Sequence, residues 1–344
     1  MKNHPYPFLF LFLIVLFAFS CSEEPPPLAD QSLIDVFIAE EEVPELVLHT
    51  SLPSLTEQKT REYQTAELRW PGKDTFQIEV KTRGKTRNKI CAFPPLKLRF
   101  SATDVEKYKL FPARTLKLVT HCVEDSSLVL KEYLAYKIYN TLTEKSFKVQ
   151  LIKLRYVDEH STMPSTTHYA FLLEHHNALA HRLGGRLMKD KKVKTVAQND
   201  YHRLAIFQYM IGNTDWNISR YHNIKLIQTA AQSAPIPVPY DFDYSGLIDA
   251  PYAQPHPNLP IDDVKERFFQ WRGKDVARLE AQLSLVVQHK KTIMRLCNQF
   301  PLLNGSERTS ISNYLDAFFV TAEQAIADDN GTLAGIFDGE ILFS

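Results

Sequence analysis

Two-residue alternation dominates the first half of the chain and four-residue stripes dominate the second. Thr75–Lys81, Leu96–Phe100, Thr115–Val119 and Val149–Val157 each alternate apolar with polar side chains, the period of a strand that buries one face. One helical stretch interrupts them. From about Ser126 to Leu142 the residues Leu130, Leu134, Ile138 and Leu142 form a single apolar stripe, with Asp125 or Ser126 as cap. A fifth strand is expected at Tyr169–Glu174, then helices at about 200–211, 275–300 and 306–328, with a Pro-rich, aromatic loop region over 212–253. This order predicts an α+β chain of two lobes: a small β-rich lobe with one helix over 61–168 and a larger helical lobe over 169–344. A length of 344 residues and an apolar fraction of 44% suffice for two packed cores.

Glycine narrows the function. The chain has only eleven, and no two are spaced as Gly-x-Gly, so neither a dinucleotide fingerprint nor a Walker loop of the usual form can be written. No Gly-x-Ser-x-Gly or His-Glu-x-x-His occurs, and no pair of glycosidase carboxylates stands out, which leaves hydrolase readings without support. Forty Lys and Arg balance forty Asp and Glu, whereas a dedicated nucleic-acid binder is normally basic.

Locally the balance breaks. Residues 22–57 hold nine acids and no Lys or Arg, the pattern of a solvated tether, while 81–99 hold seven bases and no acid. Lys2 precedes twelve unbroken apolar residues, Phe8–Phe19. Twelve helical residues rise about 18 Å, too short for a hydrocarbon core, so residues 1–20 read as a secretory signal peptide. Ala18-Phe19-Ser20-Cys21 resembles a bacterial lipobox, which makes Cys21 the expected lipidation site and 21–60 an acidic tether to a membrane of the bacterial cell envelope. An ordinary signal peptide with an incidental cysteine is the alternative. Cys91, Cys122 and Cys297 are too scattered for a structural zinc site, and in an oxidising compartment they form at most one disulfide.

The chemistry concentrates in two loops. Gly212-Asn213-Thr214-Asp215 leads to His222-Asn223, and Tyr240-Asp241-Phe242-Asp243-Tyr244-Ser245-Gly246 follows a short strand from Ile224. Phosphoryl transfer needs an acceptor-only group to orient the attacking hydroxyl and hard oxygen ligands for Mg²⁺; Asp, Asn and Asp in this order supply both. His175 and His176 are neighbours on a strand, face opposite ways, and are assigned no metal.

With these pieces stand Arg83-Gly84-Lys85-Thr86-Arg87, Pro95–Phe100, Lys131–Tyr136 and Ala170–Glu174. The ordered set, over about 75–250, resembles the CotH (spore coat protein H) kinase-like family. The resemblance implies a two-lobed protein-kinase-like fold and an atypical kinase transferring phosphate from ATP, with Mg²⁺, to a hydroxyl on a protein or glycan acceptor. It assigns Asp215 as the catalytic aspartate and Asn223, Asp241 and Asp243 as metal ligands. It places Arg83, Gly84 and Arg87 on a phosphate-covering turn, with Glu132 pairing a phosphate-binding cation among Lys97, Arg99 and Lys117. Blander readings stay open: a solvated hairpin at 81–89, an exposed helix acid at Glu132, a structural turn at 241–246. The main alternative function is an inactive pseudokinase or a surface lipoprotein that recognises a peptide or glycan.

Overall fold

The computed structural model describes residues 31–39, 42–122, 126–188, 193 and 195–327. Residues 1–20, Cys21 and Asp125 lie outside the described residues. Among the described residues no helix is long and apolar enough to cross a membrane.

The chain is α+β, but the expected kinase-like small lobe is absent. In its place seven strands close into a barrel: β1 (Glu45–Thr50), β2 (Gln64–Trp70), β3 (Asp74–Thr82), β4 (Leu96–Phe100), β5 (Thr115–Val119), β6 (Val149–Asp158) and β7 (Thr166–Leu173), in the order β1-β2-β3-β4-β5-β7-β6. Closure comes from β1, which pairs antiparallel to β2 and parallel to β6. β1 lies within the stretch expected as a tether; Leu46, Leu48 and Thr50 alternate inward among the acids. Phe76, Val80, Leu98, Phe100, Leu116 and Leu154 fill the barrel. A 3-10 turn at Leu33–Val36 stoppers it, with Leu33, Ile34 and Phe37 fully buried and Phe37 against Phe76 and Phe100.

Between the strands lie three short helices, α1 (Leu52–Thr56), α2 (Arg87–Ile90) and α3 (Ala102–Lys107). The long α4 (Ser127–Leu142) is not the inserted helix of a β lobe. Its stripe of Leu130, Leu134, Ile138 and Leu142 packs outside the barrel on Val149, Leu151, Phe171 and Leu173, within the second core. The same core holds α5 (His176–Arg182), α6 (Gln198–Met210), α7 (Val276–Gln288), α8 (Lys290–Asn298) and α9 (Gly305–Ala327). A three-stranded sheet of β8 (Gly185–Leu187), β9 (Ile224–Thr229) and β10 (Ile236–Pro239), ordered β10-β9-β8, completes this half. The helix expected over 275–300 is two, broken at His289.

Cys91 and Cys122 form a disulfide, and Cys297 is a buried thiol. The bridge ties the end of α2 to the segment just after β5. Closing a loop of 31 residues, it contributes about 3–4 kcal/mol by constraining the unfolded chain. Reductant should therefore lower the unfolding free energy of the wild type, read from urea denaturation, by that amount and leave Cys91→Ser unmoved; equal midpoints for the wild type in both conditions would show that the bridge does not stabilise the fold.

Candidate active site

The pairing of β9 with β10 brings two distant residues together. Ile224 opposes Pro239, and the Tyr240 amide donates to the Asn223 carbonyl at 3.0 Å, so Asn223 and Asp241 flank the base of one hairpin. Both adopt left-handed backbone, with φ of 51° and 67°. For residues other than glycine such conformations cost energy and persist only where the surroundings hold them. Here Phe242 is buried against Tyr136 and Phe207, and the Tyr136 hydroxyl accepts from the Asp241 amide at 2.9 Å. With Phe242 as the anchor, its two neighbours carry their carboxylates to the same place as Glu132.

Glu132, Asp241 and Asp243 each offer an oxygen, and these atoms lie within 4.8 Å of one another. The counter-ion is Arg87. Its Nη1 donates to Glu132 Oε2 at 3.0 Å and stands 3.9 Å from Asp243 Oδ2, while Nη2 donates to the Thr120 carbonyl at 2.9 Å. Burial, then the neighbouring carboxylates, push Glu132 and Asp243 above the usual carboxyl range. Glu132 Oε1 is buried with no hydrogen-bond partner. One guanidinium against three carboxylates leaves a formal charge of about two negative when all ionise, and Glu132 Oε1 is free to accept a further partner. A divalent cation of the hard, oxygen-seeking kind fits this donor set.

The Asp215 loop is stitched to the same turn. Gly246 and Leu247 donate from their amides to the Gly212 and Ile211 carbonyls. Gly212 has φ +64°, and a Cβ there would collide with the Tyr314 hydroxyl; Gly246 lies under the same hydroxyl. Tyr314 is fixed in turn by its bond to the Lys265 carbonyl and by Arg267 against its ring at 3.8 Å. Asp215 is held on both oxygens: Asn223 Nδ2 meets Oδ2 at 2.9 Å and the Asp215 carbonyl at 2.8 Å, and His222 Nε2 lies 2.7 Å from Oδ1. A backbone bridge between Asn217 and His222 sets that imidazole in place.

A row of cations runs across the barrel and ends at Lys117, which feels the Asp241 charge. Lys81, Lys97 and Lys117 are cross-strand partners on β3, β4 and β5, half-buried on the outer face of the barrel. Like charges directly opposite one another destabilise a sheet. Lys117 is pushed down to about 7, first by burial and then by Arg83, Lys225 and Lys97, with Asp241 acting the other way. Its ammonium lies 4.4 Å from the Tyr240 ring, which Lys225 approaches at 5.0 Å. His175 and His176 stack beside these lysines and are held to about 4 and about 3 by burial first. An unneutralised row of this kind is a seat for a polyanion.

Several expected residues thus meet and others do not. Asp215, Asn223, Asp241 and Asp243 converge, but Asn223 turns its amide to Asp215, and Glu132 supplies the third carboxylate. Arg83 stands near Lys117, and Gly84 takes the left-handed turn with φ +88°. Arg87 is not on a phosphate-covering turn; it is buried on α2 and is the cation that pairs Glu132. Arg99 lies outside this cleft, bound to Glu79 and over the Tyr63 ring. Sequence reasoning left out Tyr136, His222, Lys225 and Tyr240. Adjacency to Asn223 and Asp241 was the available signal for His222 and Tyr240.

No family model and no curated protein matches the chain. Among solved structures, a proinflammatory kinase of Helicobacter pylori, CtkA, aligns over 79% of this chain and 94% of its own at 10% identity, with a TM-score of 0.37. A likeness that slight establishes no shared fold.

Proposed function

We propose that this protein transfers the terminal phosphoryl group of ATP to a hydroxyl. The observation that carries the reading is the juxtaposition of a three-carboxylate cluster, with its unpaired Glu132 Oε1, against the lysine row at Lys117, beside the held carboxylate of Asp215. Glu132, Asp241 and Asp243 would hold Mg²⁺, which supplies charge neutralisation of the phosphates when bound. Lys97, Lys117 and Arg83 bind the phosphate oxygens, and Tyr240 keeps the Lys117 ammonium turned toward the acids. Asp215 orients the acceptor hydroxyl and accepts its proton, with His222 and Asn223 fixing the carboxylate. The ordered motifs that resemble the CotH kinase-like family support the same reaction and the roles of Asp215, Asp241 and Asp243, whereas Glu132 here takes the metal role that the resemblance gives to Asn223. We place the site at the cell envelope, where disulfides such as Cys91–Cys122 persist, with residues 1–20 as a leader and Cys21 as a lipid anchor forming part of that proposal.

A second reading rests on Arg87, whose guanidinium already lies among the carboxylates as a built-in cation. In that case the protein is an inactive surface lipoprotein that binds without turnover. Thermal unfolding with Mg²⁺ and ATP separates the two. At a hundredfold its Kd the nucleotide adds about 2.7 kcal/mol, and Asp241→Ala abolishes the Mg²⁺-dependent part. Nucleotide binding without Mg²⁺ near pH 8 should also take up a proton at Lys117, an uptake that Mg²⁺ reduces because Glu132, pushed up to about 8, gives its proton up to the cation. Lys117 is largely neutral there in the free protein and becomes charged against phosphate, so affinity falls as pH rises through 7. Calorimetry in buffers of different ionisation enthalpy reads that uptake. Absence of nucleotide binding at any pH rejects the enzyme.

A further inference from the structure

Beside Asp215 lies a second feature, with none of the three lysines in its wall. A cleft of about 650 Å³ runs from Asp215 and His222 past Tyr244 to Arg220, His256 and Arg272. A smaller one of about 300 Å³ adjoins it and shares Trp216, Asn217, Gln270 and Arg272 as common wall. Side by side across these shared residues, the two recesses make up a two-part trough.

The charge on its walls is one-sided. Among the described residues Asp215 is the lone carboxylate along both clefts, against the guanidinium groups of Arg220 and Arg272. Among the described residues the single ion pair along these walls is His222 with Asp215, and Arg220 and Arg272 are exposed. The trough is also lined with carboxamides: Gln254 and Asn258 can pair both the N–H and the C=O groups of an extended main chain, while Asn217 Oδ1 already accepts from Ser219 and Arg220, and Gln270 Nε2 donates to the Thr214 carbonyl. Trp216 is buried, which leaves the half-buried Tyr244 as the tyrosine ring that borders the larger cleft.

We infer that the trough binds the acceptor, and that the acceptor is a peptide whose hydroxyl residue is flanked by acidic side chains. This names the acceptor class of the phosphoryl transfer proposed above and rests on that reading for the chemistry, though not for the binding. The hydroxyl residue sits at Asp215. Acidic residues on either side meet Arg220 and Arg272, and because Arg272 borders both clefts it serves side chains further along the peptide as well.

Fluorescence anisotropy without nucleotide tests it, using a fluorescein-labelled peptide with one serine among glutamates and matched peptides with lysine or alanine in place of glutamate. The acidic peptide should bind most tightly and weaken with added salt. Arg220→Glu and Arg272→Glu should each weaken it about fivefold to tenfold, with circular dichroism showing the fold intact, whereas Lys291→Glu on α8 matches the charge change outside the trough and should not. Equal or better binding of the lysine peptide, or identical losses in the Lys291 control, overturns the inference. Displacement of the peptide by an acidic oligosaccharide at lower concentration than unlabelled peptide overturns it too, in favour of a glycan acceptor. Mg²⁺-ATP stabilisation is measured on the same samples. Its absence with peptide binding intact rejects the phosphoryl-transfer reading alone, and its presence without acidic-peptide preference rejects this inference alone.

Discussion

Asp215→Asn should lower the single-turnover rate of phosphoryl transfer by about a thousandfold while Mg²⁺-ATP still stabilises the protein. The substitution keeps the shape of the side chain and its place beside Asn223. What it removes is an acceptor-only group: the amide presents a donor to the incoming hydroxyl or to His222, and it cannot take the proton. His222→Ala has a smaller effect by the same logic, since it frees one oxygen of Asp215 without removing the carboxylate. A rate within threefold of wild type in Asp215→Asn would move the catalytic role to another carboxylate, with Asp243 the nearest alternative because it feels the Asp215 charge.

The second large effect is on stability. Arg87→Ala should cost about 3–5 kcal/mol, the usual loss when one partner of a buried ion pair is removed and the other stays charged. Three carboxylates then face one another with no counter-ion. The deficit depends on pH with a definite sign. Glu132 and Asp243 already bind protons more readily in the folded protein than in the unfolded chain, where the ordinary values are 4.5 and 3.8. A raised carboxyl pKa makes stability fall as pH rises from the unfolded toward the folded value. Without Arg87 both rise further, so the deficit is largest near pH 8 and shrinks toward pH 5. Millimolar Mg²⁺ should recover part of it at pH 8. The double variant Arg87→Met/Glu132→Met should be more stable than either single one. A loss below 1 kcal/mol at pH 8, read from urea midpoints, would mean that the cluster is not charged in the folded protein.

What could be read in advance followed locality. The stripe in α4 and the alternation in β3 to β6 are written in neighbouring residues, and so they are legible. Asp215, Asn223, Asp241 and Asp243 are legible too, because one loop and one hairpin place them and the intervening β9 is short. Barrel closure was hidden. It depends on β1 finding β6 about a hundred residues later, and parallel pairing at that distance leaves no local signature. The acids around Leu46 and Leu48 further masked a strand whose outer face is simply solvated. The partner of Glu132 was hidden for a different reason: α2 has four residues, and only its docking through Cys91 to Cys122 and through Arg87 to the Thr120 carbonyl turns a basic stretch inward. No Pro or Gly marks the break at His289, so a single helix was the natural expectation.

The Tyr314 hydroxyl, wedged over Gly212 and Gly246, has a bearing on when the protein becomes competent. The Asp215 loop leaves the ribosome about a hundred residues ahead of the side chain that pins it, several seconds at ordinary rates of synthesis. Until α9 arrives, Gly212 has nothing above it, and the loop and the acidic turn share only the strand of backbone bonds between them. The nascent chain therefore carries all of its chemical groups well before it can align them, and its last long helix acts as the keystone that ends that interval.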